Sequence, residues 1–345
     1  MNLVIFAVNQ LGDNVTFVPV VQAIRRTCPD WYVTLITGPI AAELYQGPLG
    51  PHKVIVCERS RFLKLYRRPW RLAAWIFQIR RLSADACLVG YDQGNCAHLL
   101  AKLSGAKVRI GGKLTQIKVR NSLTETIAIP DQPSPASWSW AIALSLFRAF
   151  DRGADLPLTP PAPDLTHLLP TGQSPLSPRF RIAIHPGSSR AENRWGVENF
   201  SELARRLMRD CDVTWLRHSR DEAPADPKIP VTTVSSLSDL ATQLKQSDLF
   251  IGNNSGPMHV ASALGVPGVV VTGQSARGWD PFWHRPDWTV LRHPSLACAP
   301  CEEINRPMVS CVNLASPMAC LTYWTPDRVE IACRVAISRI RRAVP

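Results

Sequence analysis

The chain has 345 residues, 46% of them hydrophobic. That length is too great for one typical domain and suits two packed domains of about 150 residues each. No apolar run reaches the roughly 18 residues of a membrane span, and the formal net charge of +12 favours anionic partners: nucleic acid, phosphorylated substrates or an anionic membrane face. The first residues carry no basic region followed by a small-residue cleavage site, so no secretory signal is expected. Ten cysteines dispersed through so long a chain predict reduced thiols in a cytoplasmic setting, with a candidate metal site, rather than a disulfide framework.

Apolar runs at 3–8, 32–36, 54–57 and 86–89 alternate with longer amphipathic stretches. Seven prolines between Pro157 and Pro178 then interrupt every periodic pattern. Proline fixes φ and removes a donor, so this stretch is neither helix nor central strand, and 157–179 reads as an interdomain linker. The alternation restarts beyond it. "RIAIHPG", "DVTWLRH", "DLFIGN" and "VPGVVVTG" read as strands, and "VENFSELARRLMRD", "SLSDLATQLKQS" and "GPMHVASALG" as helices. Strand–helix alternation predicts parallel sheets with crossover helices. The expected class is α/β, with two Rossmann-like lobes facing a cleft: residues 1–156, and residues 180–345 with a cysteine cluster and a terminal helix. In open α/β sheets, ligands meet the turns after strands, so chemistry is sought there.

The turn after the first strand, "NQLGDN", lacks the G-x-G-x-x-G of a dinucleotide site. It has one glycine, Gly12, followed by a carboxylate, Asp13, which repels phosphate and can serve as a base. The alternative reading of Asp13 is a helix cap. In the second half, "NNSGPMH" offers Asn254, Ser255 and Gly256 at a helix start, with Pro257 as the first helical residue. Unbonded N–H groups at such a start form an anion site, where Gly256 allows close approach of a diphosphate and His259 lies within reach; the alternative is an ordinary capped helix with a packed histidine. "IHPGSSRAENRW" repeats the pattern, exposing Ser188, Ser189, Arg190, Asn193 and Arg194 after a strand. Hydroxyls and arginine forks suit phosphate and ribose oxygens.

Two further stretches carry candidate chemistry. Cys298, Cys301, Cys311 and Cys320 form a C-x2-C-x9-C-x8-C array suited to a structural zinc or iron ion, with buried or reactive thiols as the alternative. Residues 59–82 hold eight basic and no acidic residues, interleaved with aromatic and aliphatic side chains. Such a segment suits an anionic lipid surface; no nucleic-acid recognition motif accompanies it, and no nucleic-acid partner is expected.

"NQLGDNVTFVPVVQAIRR", "IHPGSSRAENRW" and "IGNNSGPMHVASALGVP", in this order, resemble the heptosyltransferase-type glycosyltransferases of family 9, over residues 1 to about 330. The resemblance implies a GT-B fold with acceptor on the N-terminal lobe (the Gly12 side) and sugar nucleotide on the C-terminal lobe. It implies inverting transfer of a sugar, often heptose from ADP-heptose, to a lipopolysaccharide-core or related glycan, with no cofactor required for catalysis. Asp13 matches the family's proposed general base. Ser188, Ser189, Arg190, Asn193, Arg194, Asn254, Ser255, Gly256 and His259 fall on its donor side. Members commonly carry Asp where this chain has Asn254, and Lys where it has Asn193. Relatives often show a similar cysteine array, and some hold iron through it. Peripheral placement on the cytoplasmic face of the inner membrane follows. The alternatives are another nucleotide sugar, a protein acceptor, or a non-catalytic sugar-nucleotide-binding protein.

Overall fold

In the computed structural model the chain divides into two units, Met1–His167 and Leu168–Pro345. Residues 1–343 are described, apart from 92, 115, 132, 171, 173–178 and 305–309. The first unit opens with β1 (Asn2–Ala7), α1 (Leu11–Thr27), β2 (Tyr32–Thr37) and β3 (Lys53–Val56). It continues with α2 (Pro69–Arg80), β4 (Ala86–Val89), α3 (Asn95–Leu103), β5 (Val108–Gly112), β6 (Glu125–Ile127) and α4 (Pro135–Ala149). Its sheet runs β3-β2-β1-β4-β5-β6, and every pairing is parallel. Helices cover both faces of such a sheet, which explains why β1 and β4 are continuous apolar runs and not alternating ones. Leu3, Ile5, Phe6, Leu88 and Val89 are all fully buried.

The second unit contains β7 (Phe180–His185), α5 (Val197–Leu207), β8 (Cys211–Arg217), β9 (Val231–Thr233) and α6 (Leu237–Lys245). Then follow β10 (Leu249–Asn253), α7 (Gly256–Ala263), β11 (Gly268–Val271), β12 (Trp288–Leu291) and α8 (Pro326–Ala343). Its parallel sheet runs β12-β11-β10-β7-β8-β9. Counted within each unit, both sheets have the order 3-2-1-4-5-6, so each has one switch point, at β1/β4 and at β7/β10. That is where a doubly wound sheet opens a crevice outside its strand ends. Gly252, beside the switch, allows the second sheet to close: a Cβ there would lie 2.8 Å from the His185 carbonyl oxygen. Gly265 ends α7 with φ +71°, a left-handed position that glycine occupies without strain.

The apolar runs of the sequence all appear as strands, but β5, β6, β9 and β12 are additional. β6 and β9 have three residues each and lie at sheet edges, where pairing and not apolar patterning defines them. α4, rich in Trp, Leu and Ala, packs its buried faces against α1 and β5. The first part of the proline-rich stretch does not run free. Trp140 Nε1 donates to the Pro157 carbonyl at 2.8 Å, and the Gln22 amide makes two bonds to the Asp164 backbone at 2.7 and 3.0 Å. Residues 171 and 173–178 of that stretch lie outside the described residues. No described helix is long and apolar enough to cross a membrane.

Candidate active site

At the β1/β4 switch point the turn after β1 meets the turn after β4. The Val8 N–H donates to Gln93 Oε1 at 2.9 Å, and Asn9 Nδ2 to the Tyr91 carbonyl at 3.2 Å. Asp13 sits on the first turn of α1, half-buried. Its Oδ2 accepts from the Gln10 N–H at 3.1 Å, so the carboxylate does cap the helix. Its Oδ1 accepts from the Tyr91 hydroxyl. Each carboxylate oxygen has a further lone pair, so capping does not exhaust it as an acceptor. Tyr91, 78 positions away and 1% exposed, was not singled out from sequence; only strand order brings it to Asp13. Gly12 is buried beside it in α1.

The second unit repeats this geometry with different chemistry. Asn253, the last residue of β10 and fully buried, ties the two candidate turns together. Its Oδ1 accepts from the Trp195 N–H at 3.0 Å, and its Nδ2 donates to the Pro186 carbonyl at 2.5 Å. The turn with Ser188, Ser189, Arg190, Asn193 and Arg194 therefore stands beside the one with Asn254, Ser255 and Gly256. Ser255 is the N-cap residue of α7, and its hydroxyl donates backwards to the Asn253 carbonyl at 3.3 Å without capping the helix. Pro257 is the second helical residue and not the first, because the helix already begins at Gly256. A helix start with no side-chain cap and a glycine at its first position leaves room for an external anion.

Several side chains differ from their sequence reading. Arg190 is not an open fork: it pairs with Glu302, whose side chain is nearly buried, and lies 4.0 Å from Glu192. Arg194 donates to the Ser188 carbonyl at 2.8 Å and lies 3.8 Å from Glu222 at the surface. His259 is buried, and burial lowers its pKa to about 4, so it enters the site as a neutral imidazole. Among the described residues, its Nδ1 and the Oδ1 of buried Asn193 have no hydrogen-bond partner, an arrangement that polar atoms of a ligand would satisfy. Ser189 is exposed.

Further residues not anticipated from sequence come from the turns after β11 and β12. Asp280 follows a short helical turn, Arg277–Trp279, and its Oδ1 accepts from Arg292 at 2.8 Å and from Asn254 Nδ2 at 3.5 Å. Burial pushes the Asp280 carboxyl above the usual range, and Arg292 partly offsets that. Trp279 stands edge-on to His259, with ring centroids 6.3 Å apart. The sequence clue was available: "GQSARGWD" is another turn after a strand, ending in an acid.

Cys298, Cys301, Cys311 and Cys320 line one small pocket with Gln274 and Met318. Sequence spacing is thus right about their convergence. They do not form a ligating set: among the described residues no three His, Cys, Asp or Glu side chains are arranged to hold a metal ion. Burial first, and then mutual repulsion of the thiolates, raise the Cys301 and Cys320 pKa values and favour neutral thiols. In the basic segment, Phe62 and Leu65 are buried, while Tyr66, Trp70 and Phe77 are exposed. Arg61, Lys64, Arg67, Arg68 and Arg71 line a pocket of about 730 Å³ beside Glu58 and Trp75.

Comparison with known proteins agrees with this architecture. E. coli ADP-heptose LPS heptosyltransferase II superposes with a TM-score of 0.65 at 16% identity, covering 98% of this chain and 99% of that one. A family 9 glycosyl transferase from Veillonella parvula gives 0.70 at 16% identity, covering 98% and 97%. The iron-containing dodecameric glycosyltransferase TibC of enterotoxigenic E. coli gives 0.58 at 14% identity, covering 100% of this chain and 76% of TibC. At these identities the likeness establishes the fold, which is GT-B. No curated protein matches the sequence significantly. The family model "Glycosyltransferase family 9 (heptosyltransferase)" matches residues 79–310, about two thirds of the chain. The chain therefore belongs to glycosyltransferase family 9 and is a heptosyltransferase-type glycosyltransferase.

Proposed function

We propose that this enzyme transfers heptose from ADP-heptose, with inversion, to an anionic lipopolysaccharide-core or related glycan acceptor. Asp13 acts as general base. Its carboxylate takes the proton of the acceptor hydroxyl while that oxygen attacks the anomeric carbon. The bond from that carbon to the diphosphate breaks, and its electron pair leaves with the nucleotide. General-base action of this kind contributes roughly 10²–10⁴-fold. The Gln10 N–H and the Tyr91 hydroxyl hold the carboxylate in one orientation. The uncapped start of α7 at Gly256, with Asn254 and His259, receives the diphosphate and the sugar. Ser188, Ser189, Asn193 and Arg194 supply donors from the adjacent turn.

The observation that carries this reading is the pair of switch points, one bearing a carboxylate and the other an open helix N-terminus. ADP-heptose as donor draws support from the structural neighbours: E. coli heptosyltransferase WaaC is known with ADP and with ADP-2-deoxy-2-fluoro heptose. The basic pocket of residues 61–71 supports an anionic acceptor. Exposed Tyr66 and Trp70 in the same basic segment support peripheral contact with an anionic membrane on its cytoplasmic face. Among the described residues, the four-thiol pocket does not fit a metal as arranged.

Thermal stabilisation by a panel of nucleotide sugars, followed by transfer to a core-glycan acceptor, tests the reading. Ligand that binds only the folded form raises the melting temperature. ADP-heptose is expected to stabilise most; a larger shift from a uridine-linked sugar would replace the donor.

A further inference from the structure

Three neighbouring strands of the second unit end in residues that meet one another. Asn254 follows β10, Asp280 lies on the turn after β11, and Arg292 follows β12. Arg292 braces this turn twice: Nη1 donates to the Ser275 carbonyl at 2.6 Å, and Nη2 to Asp280 Oδ1 at 2.8 Å. The same Oδ1 accepts from Asn254 at 3.5 Å. Both contacts fall on one oxygen, and no hydrogen bond among the described residues falls on Oδ2. A guanidinium that only neutralises a carboxylate commonly engages both oxygens as a fork, and burying such a pair is weak evidence of a stabilising role. Here the arginine grips one oxygen and leaves the other as an acceptor. Asp280 also stands against the start of α7 at two points, through Asn254 and through Trp279 on His259.

We infer that Asp280 is the sugar-reading carboxylate of the donor site: Arg292 positions it, and its Oδ2 accepts hydrogen bonds from hydroxyl groups of the transferred glycosyl unit. The inference rests on the donor reading of the α7 turn and deepens it. An ionised carboxylate accepts hydroxyl protons more strongly than the neutral amide at 254 does. Selectivity for a polyhydroxylated sugar then comes from the turn after β11, while the turn after β10 holds the diphosphate.

Calorimetric titration with ADP and with ADP-heptose separates the two parts of the donor. Asp280→Asn is expected to weaken ADP-heptose binding about ten- to a hundredfold while leaving ADP within about twofold, since one charge-assisted hydrogen bond is lost. An unchanged ratio of the two affinities overturns the role of Asp280 and leaves the donor reading standing. Wild-type protein that binds neither probe overturns both. Should Asp280→Asn lose ADP binding and its cooperative melt, Asp280→Glu carries the test, because it keeps a negative charge for Arg292 but displaces the carboxylate. The same selective loss is expected of it, and wild-type affinity for ADP-heptose would overturn the inference.

Discussion

The two units share one strand order and one switch point, yet they treat the helix that starts there in opposite ways. In the first, α1 carries its own anion: Asp13 satisfies the Gln10 N–H and closes the helix start. In the second, Ser255 turns its hydroxyl back to Asn253, and α7 begins with a glycine. A helix N-terminus has unsatisfied N–H groups and partial positive charge. Filling it from within makes a fixed carboxylate that rejects phosphate; leaving it open makes a phosphate site. One backbone device thus yields a fixed carboxylate in one place and an uncapped helix start in the other.

The largest effect tests the filled end. Asp13→Asn should lower kcat at least about 100-fold and leave ADP affinity unchanged. The asparagine oxygen still accepts the Gln10 N–H, so stability should change by less than about 1 kcal/mol. A large loss of stability with activity retained would reduce Asp13 to a cap.

Burial lowers the pKa values of two imidazoles, His98 in the first unit and His259 in the second, from 6.5 to about 4. The unfolded chain takes up these protons first as pH falls. The stability they contribute is therefore complete above pH 6.5 and is lost as pH falls from there through 4. Each accounts for up to about 3 kcal/mol over that window. Urea unfolding at pH 7.5 and 5 should show the loss, and His98→Gln or His259→Gln should each make it smaller by a similar amount. Equal pH dependence in wild type and variants would mean that neither imidazole is buried neutral.

A third change closes the open end. Gly256→Val should weaken ADP binding about tenfold or more by placing a side chain where the phosphate meets the helix N–H groups. Unchanged affinity in calorimetric titration would return α7 to an ordinary helix start. Smallest is Tyr91→Phe, which keeps the ring but removes the hydroxyl that donates to Asp13 Oδ1. Losing one hydrogen bond to the base should cut kcat about three- to tenfold, without altering ADP affinity. A loss as large as that of Asp13→Asn would instead make the phenol itself the group that handles the proton.

The positions that stand out in the sequence are those whose placement is local. Asp13 stands directly behind a strand and at a helix start, and Gly256 stands between a strand and a proline. The partners were not legible. Tyr91 is 78 positions from Asp13, and Glu302 is 112 from Arg190. Arg190 looked like a phosphate fork because nothing nearby revealed the carboxylate that occupies it. The cysteine array was legible as a cluster, but spacing alone does not decide whether four thiols take up a ligating geometry.

By itself the sequence determined the alternation of buried strands and helices, the break near the proline-rich stretch, and the identity of the turns that follow strands. These depend on periodicity, on proline and glycine backbone preferences, and on capping, all of which act over a few residues. Only the tertiary structure decided which turns become neighbours. β7 and β10 lie side by side although 63 residues separate their ends, because the chain reverses its winding between them. Pairing of parallel strands is set by crossover connections and by the burial of both sheet faces, not by residues near the turn. The same non-local pairing brings Asp280 and Arg292 to Asn254, a meeting that no local pattern reveals.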